Sequence, residues 1–116
     1  MATAFEVHEY TEAGSSPFAD WFDGLDAVTA ARVDRYLRRL EAGNFGAAKV
    51  VREGVSELRL DFGPGYRIYY GREGQRIIIL LGGGSKRRQD TDIAAAVERW
   101  RRYKQAKAKN GTDTEL

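Results

Sequence analysis

Two short stretches, Glu57-Leu58-Arg59 and Arg67-Ile68-Tyr69, set a carboxylate, two guanidinium groups and a phenol at alternate positions on either side of Gly63-Pro64-Gly65. In an extended strand, side chains alternate between faces. A hairpin that keeps Leu58, Leu60 and Ile68 in the core therefore places Glu57, Arg59, Arg67 and Tyr69 together on the opposite face. Several cations, one carboxylate and one aromatic suit a phosphodiester, because guanidinium groups grip it bidentately and a tyrosine stacks a base. Lys86 and Arg87 follow the neighbouring strand and reach its edge. The same residues equally fit cross-strand ion pairing, such as Glu57 with Arg67, on an ordinary solvated face.

The surrounding segments predict an α+β fold that could hold such a face. Ala4 to Thr11 alternates Phe5 and Val7 against Glu6 and His8 and ends at Gly14-Ser15-Ser16-Pro17, which reads as a strand and a turn. Ser16 as N-cap and Pro17 at the first helical position begin a short helix with Phe18, Trp21, Phe22 and Leu25 at i, i+3, i+4 and i+7. Asp26 caps a second helix, with Ala30, Val33, Leu37 and Leu40 on one face, until Gly43 ends it. The period then changes from 3.6 to 2. A short strand at 49–52 precedes an antiparallel meander over 55–62, 66–70 and 75–81, whose last member is apolar enough to be central and covered on much of both faces. Gly82 to Ser85 reads as a flexible connector, after which Asp90 or Thr91 caps a helix carrying Ile93, Val97 and Trp100. The expected architecture is a small antiparallel sheet packed on the helical hairpin, with a C-terminal helix and the sheet's other face partly open. One domain over 1–104 and a disordered tail over 105–116 are expected.

Composition narrows the chemistry. At 116 residues and 13.0 kDa, with 42% hydrophobic residues, the chain fits a single globular domain. It has no cysteine and one histidine, His8, which excludes disulfides, thiolate metal sites and histidine-rich metal sites; no cofactor is expected. No apolar segment approaches the roughly 20 residues that span a bilayer, and the N-terminus lacks a basic stretch followed by an apolar run, so a soluble, unprocessed, cytoplasmic protein is expected. LLGGGSK lies between a strand and a helix, but its Ser precedes its Lys and the spacing of a phosphate-binding loop fails. Trp21, Phe22 and Trp100 sit at helical spacing, as core residues do, and His8 reads as an edge-strand residue. The net charge of +2 hides an asymmetry: residues 1–31 carry six acids and no Lys or Arg, whereas residues 86–109 carry nine bases against three acids. Such a distribution fits a polyanionic or acidic partner and fits equally a pair of solvated helix faces.

Gly43-Asn44, the run Gly54 to Arg59, Gly63 to Tyr70, and LLGGGSK with Gln89 and Ile93 occur in an order and spacing that resembles the HigB-like branch of the RelE/ParE superfamily, the toxins of bacterial type II toxin–antitoxin modules. The likeness covers about residues 5–100. It implies a ribosome-dependent mRNA endoribonuclease neutralised by a helix-turn-helix antitoxin; a ParE-like DNA gyrase inhibitor and a non-enzymatic binding module are the alternatives. Carried over by position, the resemblance implies catalytic roles for Arg59 and Arg67; the carboxylate beside them on the same face makes Glu57 the candidate general base. It places Lys86 and Arg87 in the basic segment that follows the last strand, as RNA-binding residues; Tyr69, to stack a base, and Lys49 are further RNA-binding candidates. Glu57 stands where RelE has a lysine, and the tyrosine RelE places in the last helix is missing, with Asp92 or Ile93 near that position.

Overall fold

The computed structural model describes residues 4–115, with side-chain surroundings for 4–109. The chain runs β1 (Glu6–Glu9), α1 (Pro17–Asp23), α2 (Ala27–Glu41), β2 (Ala48–Arg52), β3 (Val55–Arg59), β4 (Arg67–Glu73), β5 (Ile77–Gly84), a 3-10 turn (Lys86–Arg88) and α3 (Gln89–Glu115). Both expected caps form: the Ser16 hydroxyl accepts from the Ala19 amide at 3.0 Å, and the Asp26 carboxylate from that of Thr29 at 2.9 Å. Each satisfies an amide that the first helical turn leaves unpaired.

The five strands form one sheet in the order β1-β5-β4-β3-β2. The meander β3-β4-β5 and the β2–β3 pair are antiparallel, as expected. β1 pairs with β5 in parallel, Val7 opposite Ile78. This is an α+β fold in which β5 lies between β4, which precedes it in the chain, and the N-terminal β1.

Two cores follow from the alternation. Phe18, Val33 and Leu40 of the helical hairpin pack on Leu58, Ile68, Tyr70, Ile78 and Leu80. On the other face, Ile93, Ala96, Val97 and Trp100 of α3 pack on Val55, Tyr69, Ile79 and Leu81. That face is partly open, as expected, but only at one corner, for α3 lies across most of it. Ile79 and Leu81 supply the reason, since they would otherwise hold their apolar side chains in water on the side away from the hairpin.

The Gly82–Gly84 segment is a correction. These residues are the end of β5, paired with Tyr69, Ile68 and Arg67, rather than a connector. Their missing side chains admit close neighbours: a Cβ at Gly83 would strike the Trp21 ring, and one at Gly84 the Asp92 carboxylate. The last helix starts at Gln89, one residue before the expected cap, because the 3-10 turn leads straight into it. It also passes Lys104, where apolar periodicity ends, and continues to Glu115; Lys107 meets Glu73 of β4 at 3.5 Å. Gln, Ala and Lys in that stretch are good helix formers.

The fit of α3 on the sheet is testable at Gly71, whose backbone is ordinary but whose added Cβ would lie 2.5 Å from the Trp100 ring. Gly71→Ala should lower the free energy of unfolding in urea by about 1–3 kcal/mol through overpacking. An unchanged urea midpoint would show that α3 does not seat there.

Candidate functional site

The part of the sheet that α3 leaves uncovered is a corner beside β2 and β3, under the first turn of the helix. There Ala47, Lys49, Glu57, Arg59, Arg67 and Gln89 line a cavity of about 140 Å³. Strand register explains the gathering, because Lys49 lies opposite Glu57 and Arg59 opposite Arg67, all four on the α3 side. The sequence-derived residues Glu57, Arg59, Arg67 and Lys49 are therefore brought together, three cations around one carboxylate.

Their environments differ sharply. Glu57 and Arg67 are 2% and 6% exposed, whereas Arg59 and Lys49 are exposed. The Glu57 carboxylate stands 3.5 Å from Arg67 Nε and accepts a hydrogen bond from Gln89 Nε2 at 2.7 Å. Arg67 donates from Nη1 to the carbonyl of Gly65 at 2.6 Å, while its buried Nε makes no hydrogen bond of good geometry. The cross-strand ion pair considered from the sequence does form, but it is buried instead of solvated. It holds the guanidinium at a set place in the wall of the cavity.

Gly65 contributes through what it lacks. At φ +77° it adopts a conformation that side-chain-bearing residues avoid, and a Cβ there would lie 3.1 Å from both Arg67 Nη1 and Lys86 Cβ. The turn thus brings Lys86 beside the Arg67 guanidinium. Lys86, Arg87 and Arg88 of the 3-10 turn, with Gln89, Asp90 and Thr91, line an adjoining depression of about 340 Å³. Gln89 belongs to both walls and connects the two.

Tyr69 is a correction. It shares the face of Glu57 and Arg67 but is fully buried under α3, so its ring has no surface on which to stack a base. Its hydroxyl is buried without a hydrogen-bond partner, and burial, aided by the negative charge of Glu57 and Asp92, pushes the phenol well above its ordinary pKa. Gln89 and Ala47 are the lining residues that sequence reasoning missed. Strand alternation says nothing of a residue on a helix, although Gln89 lies three residues after Lys86, a spacing that keeps side chains neighbouring in helical turns. Asp92, near the position of the tyrosine in the resemblance, faces Gly84, and desolvation raises its carboxyl above the ordinary value against the opposing effect of Arg88 and Arg99. Among the described residues, no three His, Cys, Asp or Glu side chains gather as a metal site requires, and no helix is long and apolar enough to cross a membrane.

Residues 20–104 match the family described as Phage derived protein Gp49-like (DUF891), a span that holds the whole cavity wall. The chain is also 42% identical over 80 residues to an uncharacterized protein of Haemophilus influenzae, across 68% of this chain and 81% of that protein.

Two stability measurements probe the site. Glu57→Ala should cost about 3–5 kcal/mol because Arg67 is left buried and unpaired, whereas the double variant Glu57→Ala/Arg67→Met should recover much of the loss. Additive losses in urea unfolding would contradict coupling of the pair. Asp92 has its pKa raised by folding, so its ionised form opposes folding as pH rises. Asp92→Asn should therefore stabilise the protein at neutral pH, with the gain disappearing once pH falls below the unfolded carboxyl range. A gain independent of pH would refute that origin.

Proposed function

Since the chain belongs to the phage-derived Gp49-like family, a toxin-like family related to addiction-module toxins, we propose that it is the toxin of a type II toxin–antitoxin module and cleaves ribosome-bound mRNA. Membership of such a family implies an antitoxin partner; the reading here makes it a cognate helix-turn-helix protein. The observation that carries the reading is the meeting of Lys49, Arg59 and Arg67 around the Glu57 carboxylate in one cavity, with Lys86 and Arg87 on the adjoining wall.

In this scheme the RNA supplies its own nucleophile. The 2′-hydroxyl attacks the adjacent phosphorus while its proton passes to the Glu57 carboxylate. The phosphorane gains negative charge, which Arg67 and Arg59 offset with donors already held in place. The bond to the 5′-oxygen breaks, and that oxygen takes a proton from water entering the open side of the cavity. The products are a 2′,3′-cyclic phosphate and a free 5′-hydroxyl. Lys49, Lys86 and Arg87 hold the flanking backbone by charge, so binding weakens as salt rises. The Gln89 hydrogen bond keeps the Glu57 carboxylate turned toward its neighbours.

Arg59 is exposed, so Arg59→Ala tests the chemistry without disturbing the buried pair. Loss of one donor to the developing charge should slow single-turnover cleavage of mRNA on translating ribosomes about 100-fold or more. Arg67→Ala, compared only where its circular dichroism remains native, should slow it by a similar factor. Wild-type rates in both folded variants would remove the proposed mechanism, and absence of any cleavage by the wild-type protein would remove the activity.

A further inference from the structure

On the far side of the sheet from the cavity, α2 carries four arginines in two kinds of surroundings. Arg38 is paired twice, with Asp34 at 3.1 Å and Glu41 at 2.8 Å, the ordinary state of a charged residue on a solvated helix. Arg32, Arg35 and Arg39 enter none of the ion pairs among the described residues. The Arg32 guanidinium instead lies 4.1 Å from the centre of the Phe62 ring, and that of Arg39 lies 4.7 Å from the Tyr36 ring. Those two rings stack on each other, 6.2 Å apart and inclined by 28°.

With Arg35 and Asp61, these groups line a groove of about 190 Å³. Asp61 is the one acid in its wall, and that carboxylate accepts a hydrogen bond from the Tyr36 hydroxyl, which with its own backbone amide and the nearby charges of Arg39 and Arg32 holds it below the usual carboxylate range. A guanidinium lying over an aromatic ring keeps its N–H edge free and its orientation restricted, the arrangement suited to bidentate phosphate recognition. The three arginines occupy i, i+3 and i+7 and so extend about 10 Å along the helix. The exposed large apolar residues, Val28 and Val50, lie outside this wall, whose three arginines against one acid give it the cationic surplus that a polyanion complements.

We propose that this groove is a second RNA-docking surface, where Arg32, Arg35 and Arg39 hold backbone phosphates away from the cleavage cavity on a platform of Tyr36 and Phe62. The inference rests on the reading of RNA as substrate and gives that substrate a second contact. Asp61 and Phe62 follow Arg59 after the buried Leu60, in the loop between β3 and β4, so that loop joins the wall of the cavity to the wall of the groove. A strand of RNA passing around the loop meets cations on both sides of the sheet.

Fluorescence anisotropy with fluorescein-labelled oligouridylate tests the groove, in parallel with cleavage on translating ribosomes. Each phosphate contact to single-stranded nucleic acid contributes a salt slope of about 0.7, or about fivefold in affinity at 0.1 M salt. The triple variant Arg32→Ala/Arg35→Ala/Arg39→Ala should bind on the order of a hundredfold more weakly, with a salt slope shallower by about 2. Arg38→Ala should bind as wild type. Arg35 makes no ring contact among the described residues, so Arg35→Glu keeps the measurement available if the triple variant fails to fold; it should weaken binding at least fivefold. Unchanged affinity and slope, an equal loss in Arg38→Ala, or tighter binding of a polyglutamate peptide than of the RNA would each overturn the proposal. If the wild type binds through the groove but cuts nothing, the cleavage reading fails and the docking surface stands; if it cuts while the folded variants bind normally, the reverse holds.

Discussion

β5 must be covered on both faces, and most of the molecule follows from that requirement. Ile78 and Leu80 point to the helical hairpin and Ile79 and Leu81 to α3, and all four are at most 2% exposed. Burial of one such side chain contributes about 1.5–3 kcal/mol, so leaving either face in water would cost a large share of the 5–15 kcal/mol by which a domain of this size is stable. Neither layer suffices alone. The C-terminal helix is therefore part of the core, and its first turn becomes a wall of the cavity.

That covering layer changes the electrostatics of the residues beneath it. A glutamate and an arginine on a solvated sheet would be loosely paired and screened. Under the edge of α3 they are desolvated, and each depends on the other and on Gln89 and the Gly65 carbonyl for polar partners. Such an arrangement adds little net stability over an apolar substitute, but removal of one member is severe. Its consequence is positional: a guanidinium with few alternative orientations stands beside exposed Arg59 and Lys49, which remain free to follow a ligand.

Local chemistry made much of this readable in the sequence. Ser16-Pro17 and Asp26 state the helix starts by their hydrogen-bonding capacity, and alternation in Val55 to Arg59 and Arg67 to Tyr69 places Glu57, Arg59 and Arg67 on one side of the pleat whatever lies above. What lies above is a tertiary matter. Alternation cannot distinguish a polar face in water from one beneath a helix, so Tyr69 read as accessible although it is buried. Gly82 to Gly84 carry no side chains to reveal a strand, and their role as clearance for Trp21 and Asp92 depends on residues distant in the chain. The parallel β1–β5 pair joins residues about seventy positions apart, with no local signal for the partner.

The position of β1 bears on when the protein becomes complete during synthesis. Its partner Ile77 to Leu80 emerges only after the hairpin helices and three strands, and Gln89 later still. A ribosome making this chain exposes α1 and α2 early, with their apolar faces lacking the sheet they pack on, and the cavity closes only after Gln89 follows the strands. Loop-closure entropy makes that last long-range pairing slow relative to local helix formation. Until Gln89 has emerged, the nascent polypeptide lacks one wall of the site, a delay that comes from chain order alone.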